Sequence, residues 1–232
     1  IDISIQDKVD FVIFAGDIFH TPNPSGTAIL QMANALKRLK ENEIESFFVL
    51  GEHDISRVRS TPIPYVYHNL EFSKYVGRGE PGITEVNKFA GEVNSTDLPK
   101  NFTYYAMGHL HDKFLKQYDH LKGPLAYPGS TEMTTSEGIK ETEKGFFKVD
   151  ISDDEAKPEW IKLDTRPQIS VKTEFENIDS VIKELNEKIS GLEKKPIIEI
   201  KIHGENLERD VIEGKIADLV IKSLHFSWKI FQ

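Results

Sequence analysis

Three short stretches of the sequence hold residues that could bind metal ions and transfer protons. They read GDIFH (16–20), GEHD (51–54) and GHLH (108–111), and each directly follows an apolar run. Each opens with a glycine, which is typical of a strand that ends in a tight loop. Four of the eight histidines lie in these stretches, which favours a shared site. The candidate site residues are Asp17, His20, Glu52, His53, Asp54, His109 and His111.

These residue types suit a site with two divalent cations. A carboxylate has two oxygens and can bridge two cations, and histidines separated by one residue, such as His109 and His111, can point to one side. Histidine and carboxylate ligands without thiolates suit manganese, iron or zinc. Two such ions about 3.5–4 Å apart can hold a hydroxide and orient a phosphate for in-line attack.

Each stretch alone has a simpler interpretation. GD after a strand is most often a turn, GEHD alone is most often a solvated loop, and GHLH alone is often a loop with exposed histidines. Three such loops in one chain, each at a strand end, favour a common site over these simpler interpretations.

The elements that must position these loops are predicted from hydrophobic periodicity. Near-continuous apolar runs predict strands covered on both faces at 9–16 and 46–50. Between them, apolar residues at helical spacing predict a helix over 25–42 with Ser25 as its N-cap. This βαβ order places the carboxyl ends of both strands at one edge of a sheet. The stretch 1–8 fits either a strand or the last turns of a helix.

The middle of the chain is less regular. A short helix is predicted within 62–76, and a strand at 103–109 runs into GHLH. Further strand candidates are FLKQYD, LAYPG, GFFKVDI and EWIKLD, with turn residues between them. Their close spacing predicts a β-meander.

The sequence pattern changes at Arg166-Pro167. After this point strands alternate with helices, in the order QISVKTEF, a helix over 177–190, PIIEIKIHG, a helix over 207–224, and HFSWKIF. The alternation predicts a small α+β domain at 166–232 that follows a larger domain at 1–165.

Composition limits the classes of function. The 232 residues are 38% hydrophobic and 29% charged, a soluble globular balance. The sequence has no apolar run long enough for a transmembrane helix and no signal-peptide pattern at its start. The chain has no cysteine for disulfides or thiolate ligands, and we expect a cytoplasmic protein. Because the net charge of −9 repels phosphate, nucleic-acid chemistry would need bound cations or a local basic patch.

GDIFH, GEHD and GHLH resemble the ordered motifs of the calcineurin-like binuclear metallophosphoesterases. AGDIFH, YYAMGHLH, the downstream YPGS and the small domain after residue 165 resemble one branch more closely. That branch is the archaeal form of the nuclease subunit of the Mre/Rad DNA double-strand-break repair complex. The resemblance covers essentially the whole chain. It implies an α/β fold, a four-layer αββα sandwich with a small C-terminal α+β capping domain over the active site.

The resemblance also implies roles for individual residues. Asp17 would bridge two Mn²⁺ ions. The implied metal ligands are Asp17, Glu52, His109 and His111. His53 would protonate the leaving oxygen, and His20 would contact the scissile phosphate. Asp54 would orient His53.

The function implied by the resemblance is a manganese-dependent DNA exonuclease and endonuclease in break repair, in which a metal-bound hydroxide attacks the phosphodiester. The implied partners are DNA, a Rad-type SMC-like ABC ATPase and a second copy of the chain, without a membrane. Two alternatives remain open. The chain could be another binuclear-metal phosphatase of the same fold, or a non-catalytic DNA-bridging scaffold with a degenerate site.

The sequence departs from the family pattern in three places. The first family strand ends in Asp-x-His and has no match here. A ligand histidine expected before GH-x-H is absent from 72–102, and Glu52 stands where the family has asparagine. Either the protein has lost metal ligands, or the natural protein has further residues before Ile1 and between about Gly79 and Gly82. We favour the second, because a fold without a central strand would leave buried backbone groups unpaired.

Overall fold

The computed structural model describes residues 1–56, 61–77, 94–133, 143–205 and 207–231. The chain divides into two compact units. The first unit comprises Ile1–Ser130 and Phe146–Ile161, and the second comprises Thr131–Gly145 and Lys162–Gln232. The assignment of 1–165 to a nuclease domain and of 166–232 to a cap stays a prediction.

A parallel βαβ arrangement opens the first unit. After the short helix α1 (Asp2–Gln6), strand β1 (Phe11–Ala15) pairs in parallel with strand β2 (Glu45–Val49), and helix α2 (Gly26–Glu41) connects them. The predicted helix and both predicted strands are confirmed. The open choice at residues 1–8 is decided in favour of a helix.

Helix α2 begins at a side-chain cap and buries one face. The Ser25 hydroxyl accepts the N–H of Ala28 at 3.2 Å, as the sequence predicts for an N-cap. Leu36 and Leu39, one turn apart, are 1% and 0% exposed and pack in a core that also contains Tyr67. This packing fixes α2 against α3 and against β1, which carries the first candidate loop.

A third strand extends the sheet. Helix α3 (Tyr65–Asn69) leads to β3 (Lys74–Tyr75), which pairs in parallel with β2. Within the described residues the strand order is therefore β1-β2-β3.

Strand β1 is not covered on both faces, contrary to the sequence-based expectation. Val12 and Phe14 pack against the core formed with α1, α2 and α3. Phe11 and Ile13, on the opposite face, are 45% and 41% exposed, because none of the described elements covers them.

A second small sheet follows in the first unit. Strands β4 (Tyr105–Ala106) and β6 (Leu125–Tyr127) pair in parallel, and β5 (Phe114–Lys116) pairs antiparallel with β6. The predicted β-meander is confirmed only in part: FLKQYD and LAYPG form the neighbours β5 and β6, whereas GFFKVDI and EWIKLD pair in a separate sheet. After β4 the chain packs Gly108 on the carbonyl oxygen of Ala15, where an added Cβ would lie 1.7 Å away. Gly108 therefore lies against the carboxyl end of β1.

Strands β7 (Gly145–Ser152) and β8 (Glu155–Lys162) form a separate two-stranded sheet. Asp153 and Asp154 connect them with φ angles of 50° and 66°. Two positive φ angles suit a two-residue hairpin turn. The Thr103 hydroxyl donates to Asp154 at 3.1 Å and attaches the turn to the preceding segment.

The second unit alternates strands and helices, as the sequence predicts. Its elements are β9 (Gln168–Glu174), α4 (Ile178–Ser190), β10 (Ile197–His203), α5 (Arg209–Lys222) and β11 (His225–Phe231). The three strands are parallel, in the order β11-β10-β9. Parallel strands joined by helices in both units agree with the predicted α/β class.

The core of the second unit is centred on alternate residues of β10. Ile198, Ile200 and Ile202 are completely buried and pack with apolar residues of α4 and α5. Burying one such side chain contributes about 1.5–3 kcal/mol. Glu199 and Lys201 lie on the opposite face of the sheet.

Candidate active site

The first two candidate loops lie side by side. Because β1 and β2 are parallel, residues 16–20 and 51–54 leave the sheet at the same edge. Gly16 has a φ of +88°, and a Cβ added to it would lie 3.1 Å from the Cα of Gly51. A Cβ added to Gly51 would lie 2.1 Å from Oδ1 of Asp17. The close contact between the loops therefore requires glycine at both positions.

Asp17 lies at the centre of this contact in an uncommon backbone conformation. Its φ is +44°, and the left-handed region costs a non-glycine residue about 1–2 kcal/mol. Its Oδ1 accepts the backbone N–H of His53 at 2.8 Å, which fixes the side chain to the second loop. A carboxylate has further lone pairs, so this hydrogen bond leaves Asp17 able to bind a cation.

Asp54 connects the two loops through hydrogen bonds to its buried side chain. Its side chain is 2% exposed and accepts backbone N–H groups from Gly51 at 3.0 Å and from Ile18 and Phe19 at 3.2 Å each. Burial raises the pKa of the Asp54 carboxyl, although the three hydrogen bonds favour its ionised form. No hydrogen bond joins Asp54 to the His53 ring among the described residues. The expectation that Asp54 orients that ring stays a prediction.

The two histidines predicted to act on the phosphate and on the leaving oxygen are neighbours. The ring centroids of His20 and His53 lie 5.3 Å apart, and the ring planes are inclined by 34°. The pairing of the loops thus brings together two imidazoles that are distant in sequence.

The third loop lies beside the first two. Gly108 packs on the end of β1, and His109 follows with a φ of +77°. The Nδ1 atom of His109 lies 4.0 Å from Oε2 of Glu52, and both side chains are partly exposed. His109 and Glu52, both predicted to be metal ligands, are therefore adjacent.

His111 is positioned through the YPGS stretch. Its carbonyl oxygen accepts the N–H of Ser130 at 3.1 Å, and Gly129 packs on it with a φ of +80°. The carbonyl oxygen of Pro128 accepts Nε1–H of Trp160 at 3.2 Å. Sequence reasoning missed Trp160, because a tryptophan in a strand gives no sign that it supports a distant loop.

A family model gives an independent comparison. The model of the calcineurin-like phosphoesterases matches residues 2–165, which include all three loops. The chain belongs to the calcineurin-like phosphoesterases. It is accordingly a metal-dependent phosphodiesterase, as the loop motifs predict.

Individual members of the family resemble the chain over most of its length. The DNA double-strand break repair protein Mre11 of Thermoplasma acidophilum is 31% identical over 266 residues, which cover 88% of this chain and 69% of that protein. Mre11 of Sulfurisphaera tokodaii is 26% identical over 282 residues, covering 100% and 72%. Mre11 of Methanocaldococcus jannaschii is 28% identical over 251 residues, covering 87% and 68%. The predicted resemblance to the archaeal nuclease branch is confirmed.

All three aligned stretches are longer than the chain itself. The aligned stretch with the Sulfurisphaera protein has 282 residues, whereas this phosphoesterase has 232. That relative therefore contains residues within the aligned stretch that have no counterpart here. The predicted break near residues 79–82 lies outside the described residues.

The four predicted ligands suit a divalent cation in type but do not complete a site. Carboxylate oxygens and imidazole nitrogens are the donors expected in a phosphoesterase of this family. Across the described ranges, however, no three side chains of His, Asp or Glu are close enough together to hold one metal ion. Oε2 of Glu52 and Nδ1 of His109 lie 4.0 Å apart. The ligand roles stay predictions, and further donors are needed.

In the part of the chain that the structure describes, no helix is both long and apolar enough to span a membrane.

Proposed function

We propose that this phosphoesterase is a manganese-dependent DNA nuclease, with exonuclease and endonuclease activity, in double-strand-break repair. The archaeal relatives named above support the substrate and the process. The observation that carries the proposal is the convergence of three loops, in which Asp17 contacts the second loop and Glu52 lies beside His109.

The proposed ligands of the metal ions are Asp17, Glu52, His109 and His111. Two bound divalent cations would neutralise phosphate charge and lower the pKa of a water molecule so that it can attack phosphorus. The proposed acid is His53, which gives its proton to the leaving oxygen as the P–O bond breaks. His20, whose ring lies 5.3 Å from that of His53, contacts the phosphate oxygens.

The negative net charge makes the cations necessary for DNA binding as well as for chemistry. A chain with a net charge of −9 repels phosphate at long range. Bound divalent ions supply positive charge where the scissile phosphate must lie. The protein therefore binds DNA productively only in its metal-loaded form. Its proposed place of action is the nucleoid in the cytoplasm.

The proposed protein partners are a Rad-type SMC-like ABC ATPase and a second copy of the chain. The names of the relatives, which place them in break repair, support the ATPase. The segment around α3 supports the homodimer, because Val66 and Leu70 are 42% and 54% exposed.

The natural protein is proposed to supply the missing metal donors from residues that this chain lacks. The longer aligned stretch of the Sulfurisphaera relative supports this. The intact mass of the natural protein should exceed 26.5 kDa. A mass of 26.5 kDa would mean that the missing donors have been lost.

The test of the nuclease proposal uses the purified natural protein with an end-labelled DNA duplex. We expect shortening and nicking of the duplex with Mn²⁺ and no reaction after chelation. A small phosphomonoester serves as the second substrate, since a phosphatase of this fold would turn it over faster than DNA. Absence of phosphodiester hydrolysis with Mn²⁺, Co²⁺ and Zn²⁺ would refute the proposal.

A nuclease and a non-catalytic DNA-bridging scaffold of the same fold differ in their metal content. A scaffold with a degenerate site would purify without stoichiometric metal and would still bind DNA. A nuclease would carry close to two metal ions per chain, so metal analysis of the natural protein distinguishes the two.

A further inference from the structure

The two loops that carry Asp17 and His53 are joined by a buried carboxylate whose partners are all backbone amides. Asp54 is 2% exposed, and its two oxygens accept three N–H groups. Oδ2 accepts from Ile18 and Gly51, and Oδ1 accepts from Phe19. Each loop therefore contributes at least one amide to the same carboxylate.

Two of these amides follow Asp17 directly in the chain. Successive N–H groups that point into one concave turn form an anion-binding nest. The turn is possible because Gly16 has a φ of +88° and Asp17 a φ of +44°. A non-glycine residue persists in this region only when the surrounding structure holds it there. The carboxylate of Asp54 occupies this nest.

We propose that Asp54 is a positioning residue, which holds Asp17 in its left-handed conformation by accepting the amides of Ile18, Phe19 and Gly51. Asp54 thus acts on the backbone of the first loop and through it on the Asp17 carboxylate. This differs from an action on the His53 ring. The significance of Asp17 as a ligand rests on the proposed function, whereas the restraint itself does not.

The variant Asp54→Asn tests the restraint with little change in shape. An asparagine can place its carbonyl oxygen at Oδ2 and keep the amides of Ile18 and Gly51. Its NH₂ group then faces the N–H of Phe19, so one acceptor becomes a donor and that hydrogen bond is lost. Asp54→Ala removes all three acceptors.

The first readout is amide hydrogen exchange, which does not depend on metal or activity. In the unaltered protein the amides of Ile18 and Phe19 should exchange at least about tenfold more slowly than exposed loop amides. In Asp54→Asn the Phe19 amide should lose this protection, while amides within β1 and β2 keep theirs. Unprotected amides at both positions in the unaltered protein would overturn the proposal even if no variant folds.

The second readout is the affinity for Mn²⁺. It is measured in the natural protein from the electron paramagnetic resonance signal of the free ion. Asp54→Asn should weaken binding by about 10- to 100-fold, the usual effect of losing a group that orients a ligand. Ser73→Ala is the matched control, because Ser73 is also buried and donates to the carbonyl oxygen of Ser46 at 3.0 Å, away from the loops. Equal losses in both variants would indicate general destabilisation and overturn the proposal.

The two readouts separate this inference from the nuclease proposal. If the unaltered protein binds no Mn²⁺ but the exchange results are as expected, the proposed function fails and the restraint by Asp54 stands. If Mn²⁺ binds and supports hydrolysis while Asp54→Asn leaves both readouts unchanged, the restraint fails and the proposed function stands.

Discussion

Oδ1 of Asp17 accepts a hydrogen bond of 2.8 Å from the backbone N–H of His53. One amide thus couples the carboxylate predicted to bridge two metal ions to the residue predicted to donate a proton. The coupling is possible because β1 and β2 are parallel neighbours whose carboxyl ends lie together. A change that moves the backbone of either loop should therefore affect both functions.

Gly51→Ala should disturb Asp17 directly. The new Cβ would lie 2.1 Å from Oδ1 and 2.3 Å from the backbone nitrogen of Asp17, far inside van der Waals contact. The loops must then separate, and the hydrogen bond to His53 is lost. We expect Mn²⁺ affinity to fall by about tenfold or more, measured by titration of the natural protein.

Gly26→Ala is the control for this substitution. Gly26 is the first residue of α2, and a Cβ added there meets no atom within 4 Å. It should leave Mn²⁺ affinity unchanged. Unchanged affinity in Gly51→Ala as well would mean that the contact between the loops does not position a ligand.

His53→Gln should abolish hydrolysis without releasing metal. Glutamine keeps the backbone N–H that donates to Asp17, but its side chain cannot supply a proton. Loss of a general acid lowers the rate by about 10²- to 10⁴-fold. The rate of DNA cleavage and the metal content of the variant should be measured together.

His225→Gln, in β11 of the second unit, is the matched control for His53→Gln and should cleave DNA at the unaltered rate. If His53→Gln retained full nuclease activity, His53 would not be the acid. If it lost metal as well, its role would be structural.

The positions of the candidate loops could be predicted because each follows an apolar strand and begins with glycine. Ser25 was also predictable as a cap, since a serine before a helical pattern has a local cause. The contacts between loops were not predictable in this way. Nothing in the local sequence around Gly108 indicates that it packs on the carbonyl oxygen of Ala15, more than ninety residues earlier.

The predicted β-meander was right only in part, because its four strands are divided between two sheets. Turn residues between short strands indicate that the chain reverses, but they do not indicate which strand becomes the neighbour. Here β5 and β6 are neighbours, whereas β6 and β7 belong to different sheets. The amide partners of Asp54 were not predictable either. An aspartate that follows a histidine is equally typical of a group that orients the histidine ring.

Glu52→Asn should change metal and phosphate binding in opposite directions. The glutamate adds a negative charge where the family has a neutral amide, and it lies 4.0 Å from Nδ1 of His109. Removing the negative charge of Glu52 should weaken the binding of Mn²⁺ and strengthen the binding of phosphate. The reason is that a negative charge at the site attracts the cation and repels the anion. Mn²⁺ titration and inhibition by inorganic phosphate measure the two effects.

Glu52→Gln keeps the length of the side chain and removes the same charge, so it should match Glu52→Asn if charge is the cause. If neither variant changes Mn²⁺ or phosphate binding, the glutamate is a tolerated replacement without functional effect.

Glu199 should make the second unit sensitive to acid. Burial disfavours its ionised form, but hydrogen bonds from Lys201 at 2.8 Å and Lys229 at 3.2 Å together hold the pKa of this carboxyl below its ordinary value. Because the folded pKa lies below the unfolded one, the stabilisation is present above about pH 4.5 and is lost as pH falls through the folded pKa. Its size should be at most about 1 kcal/mol, as for partly exposed ion pairs.

Glu199→Gln should therefore reduce stability at pH 7 and reduce it less at an acid pH well below 4.5, where the unaltered carboxyl binds protons. Urea unfolding followed by fluorescence measures this, with Trp160→Phe as background so that only Trp228 of the second unit reports. Glu193→Gln, an exposed residue on the same unit, should change stability at neither pH. Equal losses for Glu199→Gln at both pH values would show that its packing matters and that its charge does not.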